Sequence, residues 1–315
     1  MEKFKERGTS LRSFALVFVI LAIVIVMTFA SPVFMTSKNI INIIRQISIN
    51  GIIAVGMTFV ILTGGIDLSV GAVVAITSVI AGYLLEQGTY WLVACLAAVS
   101  ISLVFGAFNG VMVAYVGFQP FIATLATVTM GSGIALAFSD GKPFTIKDEA
   151  FLAIGQGYVG AIPIPIILLV LVVAAGLIIL KTTTFGRYVF AIGGNKNAAK
   201  LSGVRTKRVE LMVYVISAFC AAIVGLILSA RISSGQPTAG EGYELDAIAA
   251  TAIGGTSMSG GVGSLTGTVF GFMILGLVTN SMNLLNINSF YQQIVKGILI
   301  VLAVFLDMYS KRMKK

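Results

Sequence analysis

The sequence predicts an all-α integral membrane protein with about ten transmembrane helices. Of its 315 residues, 57% are apolar and only 10% are charged, against about 25% charged in an average soluble domain. The mean hydropathy of +1.02 describes a chain whose outer surface meets hydrocarbon. The third observation is a series of apolar stretches near the length of about 18 residues needed to cross a bilayer as a helix.

Ten such stretches follow one another along the chain. They cover residues 14–30, 40–62, 68–85, 91–116, 121–138, 162–180, 211–230, 247–257, 265–283 and 290–306. The first is longer than the core of a signal peptide, so we predict a retained helix. Pro163 and Pro165 open the sixth, where their missing amide donors would be unpaired in any case. The eighth is interrupted by glycine and is the weakest of the ten.

The distribution of basic residues predicts the orientation. Of the 21 Lys and Arg residues, 15 lie in the segments 1–13, 181–209 and 311–315. Because basic residues accumulate on the cytoplasmic side, both termini and a 181–210 loop are expected there, with six spans before this loop and four after it. Residues 139–161 and 231–246 then form external loops of a single transmembrane domain, 1–315. The net charge of +9 reflects this topology and membrane lipid, so no nucleic acid partner is predicted.

A weak internal similarity relates the two halves of the chain. The segments 64–77 and 242–255 each place an aspartate just before a helix of small residues. Each is followed by a GxxxG spacing, at Gly106 and Gly110 in the first half and at Gly267 and Gly271 in the second. Because an odd number of spans per half gives the copies opposite orientations, this pattern predicts a five-plus-five inverted repeat.

The basic 181–210 loop contains a pattern typical of a short helix. Gly193 and Gly194 can supply an unusual backbone turn, and Asn195 can cap a helix over residues 197–201. Charge alone is equally compatible with a solvated anchor, but the ordered helix favours docking to a cytoplasmic partner. The residues of this candidate coupling loop are Gly193, Gly194, Asn195, Ala198, Ala199, Ser202 and Gly203, the last two ending the helix.

Charged side chains inside or beside the spans require a polar environment. We expect Asp67 to be the N-cap of the third span with Ser69 beside it, the alternative being a role in a transport path. By the same reasoning, Glu244 and Asp246 would cap the eighth segment. Lys296 lies seven residues into the last span, and we expect it to pair with Glu244 or Asp246 near the outer side.

Amide side chains recur within the spans. They are Asn42, Gln46 and Asn50 on one face of the second span, together with Asn109, Asn280 and Asn283. Such groups either hold helices together through hydrogen bonds or line a path for a hydroxylated solute. For a single residue the first interpretation is favoured.

Several chemistries lack the residues they need. The chain has no histidine, no GxxxxGK[ST] phosphate loop and no series of Asp and Glu within the spans, so neither nucleotide hydrolysis nor proton-coupled transport is predicted. Cys95 and Cys220 lie in apolar stretches and indicate no disulfide. The chain is therefore expected to carry no metal, cofactor or catalytic residue, and a pump would need an ATPase on another chain.

Five segments in order resemble the permease subunit of ribose-type ABC sugar importers of bacteria, and the resemblance covers nearly the whole chain. They are GMTFVILTGGIDLSVG (56–71), FIATLAT (121–127), GRYVFAIGGNKNAAKLSG (186–203), QPTAGEGYELDAIAATAIGGTSMSGG (236–261) and YQQIVKGILIVLAV (291–304). The resemblance implies a pair of permeases, in a homodimer, in the bacterial inner membrane. It also implies a cytoplasmic ABC ATPase that binds ATP and Mg, and a periplasmic or lipid-anchored sugar-binding protein.

The resemblance also suggests roles for particular residues. The helix near Asn195 is similar to the element that seats in the ATPase, and Gln236, Glu244, Asp246 and Lys296 would belong to the external face. Ribose is the first choice of substrate, while other pentoses, hexoses, a furanose signal molecule or a nucleoside stay open. An ion-coupled secondary sugar carrier that acts alone is the alternative from another class.

Overall fold

A computed structural model of the chain describes the backbone of residues 2–312 and the side chains of residues 14–302, 304, 305 and 309. Within this part the fold is almost entirely helical. The helices are α1 (Glu2–Ala30), α2 (Ser37–Leu62), α3 (Val70–Glu86), α4 (Trp91–Val111, continued by a π-helical turn Met112–Val116), α5 (Pro120–Ser139), α6 (Glu149–Gln156), α7 (Ile164–Thr182), α8 (Thr184–Gly194), α9 (Lys196–Leu201), α10 (Thr206–Ile232), α11 (Tyr243–Ile253), α12 (Leu265–Leu284) and α13 (Ser289–Arg312).

Four two-residue strands complete the described secondary structure. They are β1 (Phe144–Thr145), β2 (Tyr158–Val159), β3 (Ile162–Pro163) and β4 (Ser234–Gly235). β1 pairs with β4 and β2 pairs with β3, both antiparallel. The polar stretch 139–161 is thus folded around α6, whose N-cap Asp148 accepts a hydrogen bond from the Phe151 amide (2.8 Å). Pro163 and Pro165 lie at the start of α7, as predicted.

Six helices in the described part of the chain are long and apolar enough to cross a membrane: α2, α4 with its π-helical turn, α5, α7, α10 and α12. Shorter apolar helices cover Phe14–Ala30, Val70–Glu86 and Ser289–Leu302. The eighth predicted segment, 247–257, corresponds to α11, which starts four residues earlier, has 11 residues and extends only about 16 Å. Ten crossings therefore stay a prediction beyond the six long helices.

The centre of the bundle is α10, which packs on α2, α3 and α4. Glycines allow these backbones to approach closely. A methyl group on Gly56 of α2 would lie 2.9 Å from the Cα of Ser217, and one on Gly106 of α4 would lie 2.8 Å from the Tyr214 carbonyl oxygen. Gly110 is held against Leu211 in the same way. The first GxxxG spacing therefore forms the α4–α10 contact.

Two irregular segments enter the bundle from opposite ends. We call the end that carries α8 and α9 the basic end. Residues 254–264, which follow α11, reach it, and the Gly261 amide donates to the Leu62 carbonyl (2.9 Å). From the other end, residues 234–242 run back along α3, where Gly235 contacts Gly82 and the Gln236 amide donates to Ser78 Oγ (3.0 Å). The 231–246 segment, predicted to be an external loop, is thus partly buried against α3.

The helices α3 and α11 start near each other and run in opposite directions. Gly71, in the first turn of α3, lies against Gly240 and the Glu244 carboxylate. α3 then leads away from the basic end, while α11 leads towards it, with Gly254 against Gly267 of α12. This arrangement accords with an inverted repeat, which stays a prediction.

Candidate functional site

The basic end contains the candidate coupling loop. Asn195 is the N-cap of α9, its Oδ1 accepting a hydrogen bond from the Ala198 amide (3.0 Å). Ser202 is the C-cap, and Gly203 adopts a left-handed φ of +83° that favours glycine. The short helix predicted from the sequence is confirmed. The preceding helix α8 was missed, although Thr183 caps it by accepting from the Gly186 amide (3.1 Å).

Gly193 and Gly194 do not form the predicted turn, since both belong to α8 and neither has a positive φ. Their physical role is close packing. A methyl group on Gly193 would collide with the Leu62 carbonyl oxygen and the Gly261 amide, and Gly261 also lies against Gly194. α8 is therefore seated directly on the end of α2 and on the segment that follows α11.

α9 has a large apolar side chain exposed at the surface. Leu201 is 90% exposed, whereas Ala199 is buried against the bundle. An ion pair between Lys196 and Glu210 (2.7 Å) ties α9 to α10. The sequence analysis predicted α9 but did not single out Leu201. A large apolar residue within a basic segment was the feature that could have identified it.

Asp67 lies in the irregular segment between α2 and α3 and is 1% exposed. Its Oδ1 accepts from the Ser69 amide (3.0 Å) and Ser69 Oγ (2.6 Å), and its Oδ2 accepts from Ser217 Oγ of α10 (2.7 Å). The N-cap prediction was wrong, since the N-cap of α3 is Ser69. Asp67 precedes this N-cap by two residues, and its carboxylate joins the start of α3 to α10.

The same cluster extends into α4 and α5. Asn109 donates to Ser69 Oγ (2.8 Å) and accepts from Thr127 Oγ1 (2.5 Å). Ser69, Asn109 and Thr127 are all buried. The hydrogen bonds thus join the start of α3 to α4 and α5, and through Asp67 to α10, so Asn109 holds helices together in this structure.

We expect Ser217→Ala to lower the free energy of unfolding by about 1.5–3 kcal/mol, because it removes a donor to a buried carboxylate. Thermal unfolding of the purified protein in detergent measures the change. Ser229→Ala is a matched control on α10, since Ser229 is equally buried and, among the residues that the structure describes, bonds only to carbonyl oxygens of its own helix. Equal effects of the two substitutions would contradict the cross-helix role of Ser217.

Lys296 and Asp246 form an ion pair of 2.8 Å between α13 and α11, with side chains 30% and 8% exposed. The predicted pairing of Lys296 is confirmed, and Asp246 is its partner. Neither Glu244 nor Asp246 caps α11, whose N-cap is Gly242 at a φ of +83°. Both carboxylates lie in the first turn, where the helix dipole still favours negative charge.

The remaining amide candidates divide into two groups. Asn280 exchanges hydrogen bonds with Asn39 in both directions (2.9 and 3.2 Å), which joins α12 to α2. Asn283 accepts from Gln292 of α13 (2.9 Å). Of the amide candidates in the spans, Asn42, Gln46 and Asn50 make no side-chain hydrogen bond within the described residues.

Comparison with known proteins gives consistent matches over most of the chain. The family described as "branched-chain amino acid transport system / permease component" matches residues 39–304. The chain is 46% identical to the ribose import permease protein of Bacillus subtilis, with 90% of this chain and 89% of that protein covered. It is 46% identical to the ribose import permease protein of Haemophilus influenzae, with coverage of 95% and 93%.

A more distant relative carries a different sugar in its name. The L-arabinose transport system permease protein of Escherichia coli is 38% identical, with 96% of this chain and 90% of that protein covered. No solved structure gives a significant match to the chain.

Proposed function

From the premise that this chain belongs to the family of permease components of transport systems, we propose that it is the membrane-spanning subunit of an ATP-driven importer for ribose or a related monosaccharide. The observation that carries the choice of substrate is the higher identity to permeases named for ribose than to the one named for arabinose. The permease is a transport subunit and not an enzyme, so ATP hydrolysis belongs to a partner.

The assembly that we propose has two copies of this chain in the bacterial inner membrane. Two ATP-binding domains, which bind ATP and Mg, contact it from the cytoplasm, and a sugar-binding protein docks on the outside. Both termini and the basic end face the cytoplasm, and the halves form a five-plus-five inverted repeat with ten crossings. The concentration of Lys and Arg in 181–209 supports this orientation.

The proposed mechanism is alternating access driven through α8 and α9. Leu201 of α9 contacts the ATPase, and the ATP cycle displaces α9 together with α8. Because Gly193 of α8 is in contact with Leu62 and Gly261, the displacement reaches the segments before α3 and after α11. Movement of these two helices as rigid elements opens the path first to the outside and then to the cytoplasm. The role of the coupling residues 193–203 in this step is part of the proposal.

Reconstitution tests the proposed function. The chain, its ATPase and its binding protein are placed in proteoliposomes, and uptake of labelled ribose is measured with and without ATP. We expect uptake that requires ATP and the binding protein. Uptake by the chain alone under an ion gradient would instead identify a secondary carrier, and the absence of ATP-driven sugar uptake would contradict the proposal.

Competition identifies the sugar. Unlabelled ribose, arabinose, xylose, a hexose and a nucleoside are each added in excess to the complete system. We expect ribose to compete most strongly, because the relatives with the highest identity given above are named for ribose. Stronger competition by a nucleoside would transfer the assignment to that class.

A further inference from the structure

The structure separates the polar residues of the spans into those that are hydrogen-bonded and those that are free. Asp67, Ser69 and Asn109 are bonded to one another or to neighbouring helices, and Asn280 and Asn283 also have side-chain partners. Asn42, Gln46 and Asn50 of α2 have no such partner in the described part of the chain. A free amide within a membrane protein is costly unless it meets water or a polar ligand.

The three free amides lie on one side of α2. At about 100° per residue, positions 42, 46 and 50 fall within an arc of about 80°. Their exposure decreases along the helix: Asn42 is exposed, Gln46 is half-buried and Asn50 is 8% exposed. The amides therefore lead from the surface towards the interior of the bundle.

Other helices cover the remaining faces of α2. Ile47 contacts Gly276 of α12, Gly56 contacts Ser217 of α10, and Val55 contacts α7. The amide face therefore lies between the α10 and α12 contacts, which is the side on which α11 packs against α2.

α11 covers only part of this side. The start of α11 lies beside Gly71 of α3, and Val74, one turn further along α3, contacts Gly225 of α10. Gly225 lies about 12 Å further from the basic end than Ser217, which contacts Gly56 of α2. The start of α11 is therefore about 8 Å further from the basic end than Gly56. Asn50 lies about 9 Å further from the basic end than Gly56, which places it near the start of α11. Positions 46 and 42 lie still further from the basic end.

The Asn50 amide keeps access to the surrounding space although its residue is largely buried. Within the described residues, the buried polar side-chain atoms that lack a partner belong to Arg45, Glu210, Tyr214, Thr256 and Ser281. The amide atoms of Asn50 also lack a partner, but they are not among these buried atoms. They open onto space beside α2.

We propose that Asn42, Gln46 and Asn50 form a series of transient hydrogen-bonding sites for sugar hydroxyl groups, leading inward from the end opposite the basic end. A primary amide both donates and accepts hydrogen bonds, as a hydroxyl group does. Neutral groups bind hydroxyls weakly, which permits release at each step. The substrate class rests on the function proposed above, whereas the accessibility of the three positions does not depend on it.

Thiol labelling tests the accessibility. Asn50→Cys and Ile47→Cys are made in a chain in which Cys95 and Cys220 are replaced by alanine. Ile47 is a matched control, because it is 9% exposed and lies closer to the end of α2 than Asn50, on the face that contacts Gly276 of α12. In the assembled complex, we expect a water-soluble thiol reagent to label Asn50→Cys about tenfold faster than Ile47→Cys.

The labelling experiment also distinguishes other occupants of this face. Ribose delivered by the binding protein is expected to slow labelling at position 50. Equal labelling of the two variants would overturn the proposal. Disulfide crosslinking between two copies through Asn42→Cys and Asn50→Cys would overturn it as well, since the face would then be a permease–permease contact.

Transport measurements test whether the Asn50 amide contributes to sugar uptake. Asn50→Leu conserves volume and removes the amide, and we expect sugar uptake per ATP hydrolysed to fall about tenfold, the equivalent of one hydrogen bond. Asn50→Gln is expected to restore part of this uptake, whereas Ile47→Leu keeps it. If the unmodified complex transports no sugar, the proposed function fails. If it transports sugar and Asn50→Leu does so equally well, only the amide series is wrong.

Discussion

Leu201→Asp is expected to abolish ATP-driven sugar uptake and to leave the permease folded. Leu201 is 90% exposed, so the isolated chain loses no packing when it is replaced. In the proposed complex the same side chain is buried against the ATPase, where a leucine contributes about 1.5–3 kcal/mol and an unpaired carboxylate is strongly unfavourable. Co-purification of the ATPase with the permease and uptake by proteoliposomes measure the two effects.

Leu285→Asp is the matched control for this substitution. Leu285 follows α12 at the end away from α9 and is 48% exposed. It lies outside the proposed contact, so ATPase binding should persist in this variant. Unchanged co-purification in Leu201→Asp would show that α9 does not dock through this side chain.

Lys296→Met is expected to lower the free energy of unfolding by about 3–5 kcal/mol, because it leaves the carboxylate of Asp246 buried and unpaired. That carboxylate is 8% exposed and makes an ion pair of 2.8 Å in the native structure. The loss is a large fraction of the 5–15 kcal/mol that typically separates folded from unfolded states. Thermal unfolding in detergent measures it.

The double variant Lys296→Met, Asp246→Leu distinguishes this cause from a loss of packing. Removal of both charges should recover most of the stability, because the unpaired carboxylate is then absent. Lys181→Met, at an exposed lysine in the last turn of α7, should change stability little. Equal destabilisation by the single and double variants would contradict the electrostatic explanation.

Two predictions about particular side chains, Asn195 and Lys296, are confirmed. Asn195 caps α9 because its oxygen needs only an amide three residues ahead. The pairing of Lys296 was also predicted, although its partner is 50 residues away, because an ammonium group within an apolar span requires a carboxylate and few are present. The choice between Glu244 and Asp246 needed the structure.

Predictions that depend on distant segments failed or stayed open. Asp67 was expected to cap α3, but Ser217, 150 residues away, supplies one of its hydrogen bonds. Gly193 was expected to make a turn, but it is helical and makes room for Leu62 and Gly261. The same limit applied to the amides, since one-dimensional spacing does not distinguish Asn280, which is paired, from Asn50, which is free.

The sequence by itself determined the membrane class, most of the apolar helices and the short capped helix at the basic end, because hydrophobic length, charge and local hydrogen bonding act over a few residues. The tertiary structure decided how residues 234–242 and 254–264 fold into the bundle, where α11 begins and which polar groups are satisfied. These features depend on backbones brought into contact by packing, and a buried polar group takes whichever partner that packing places beside it.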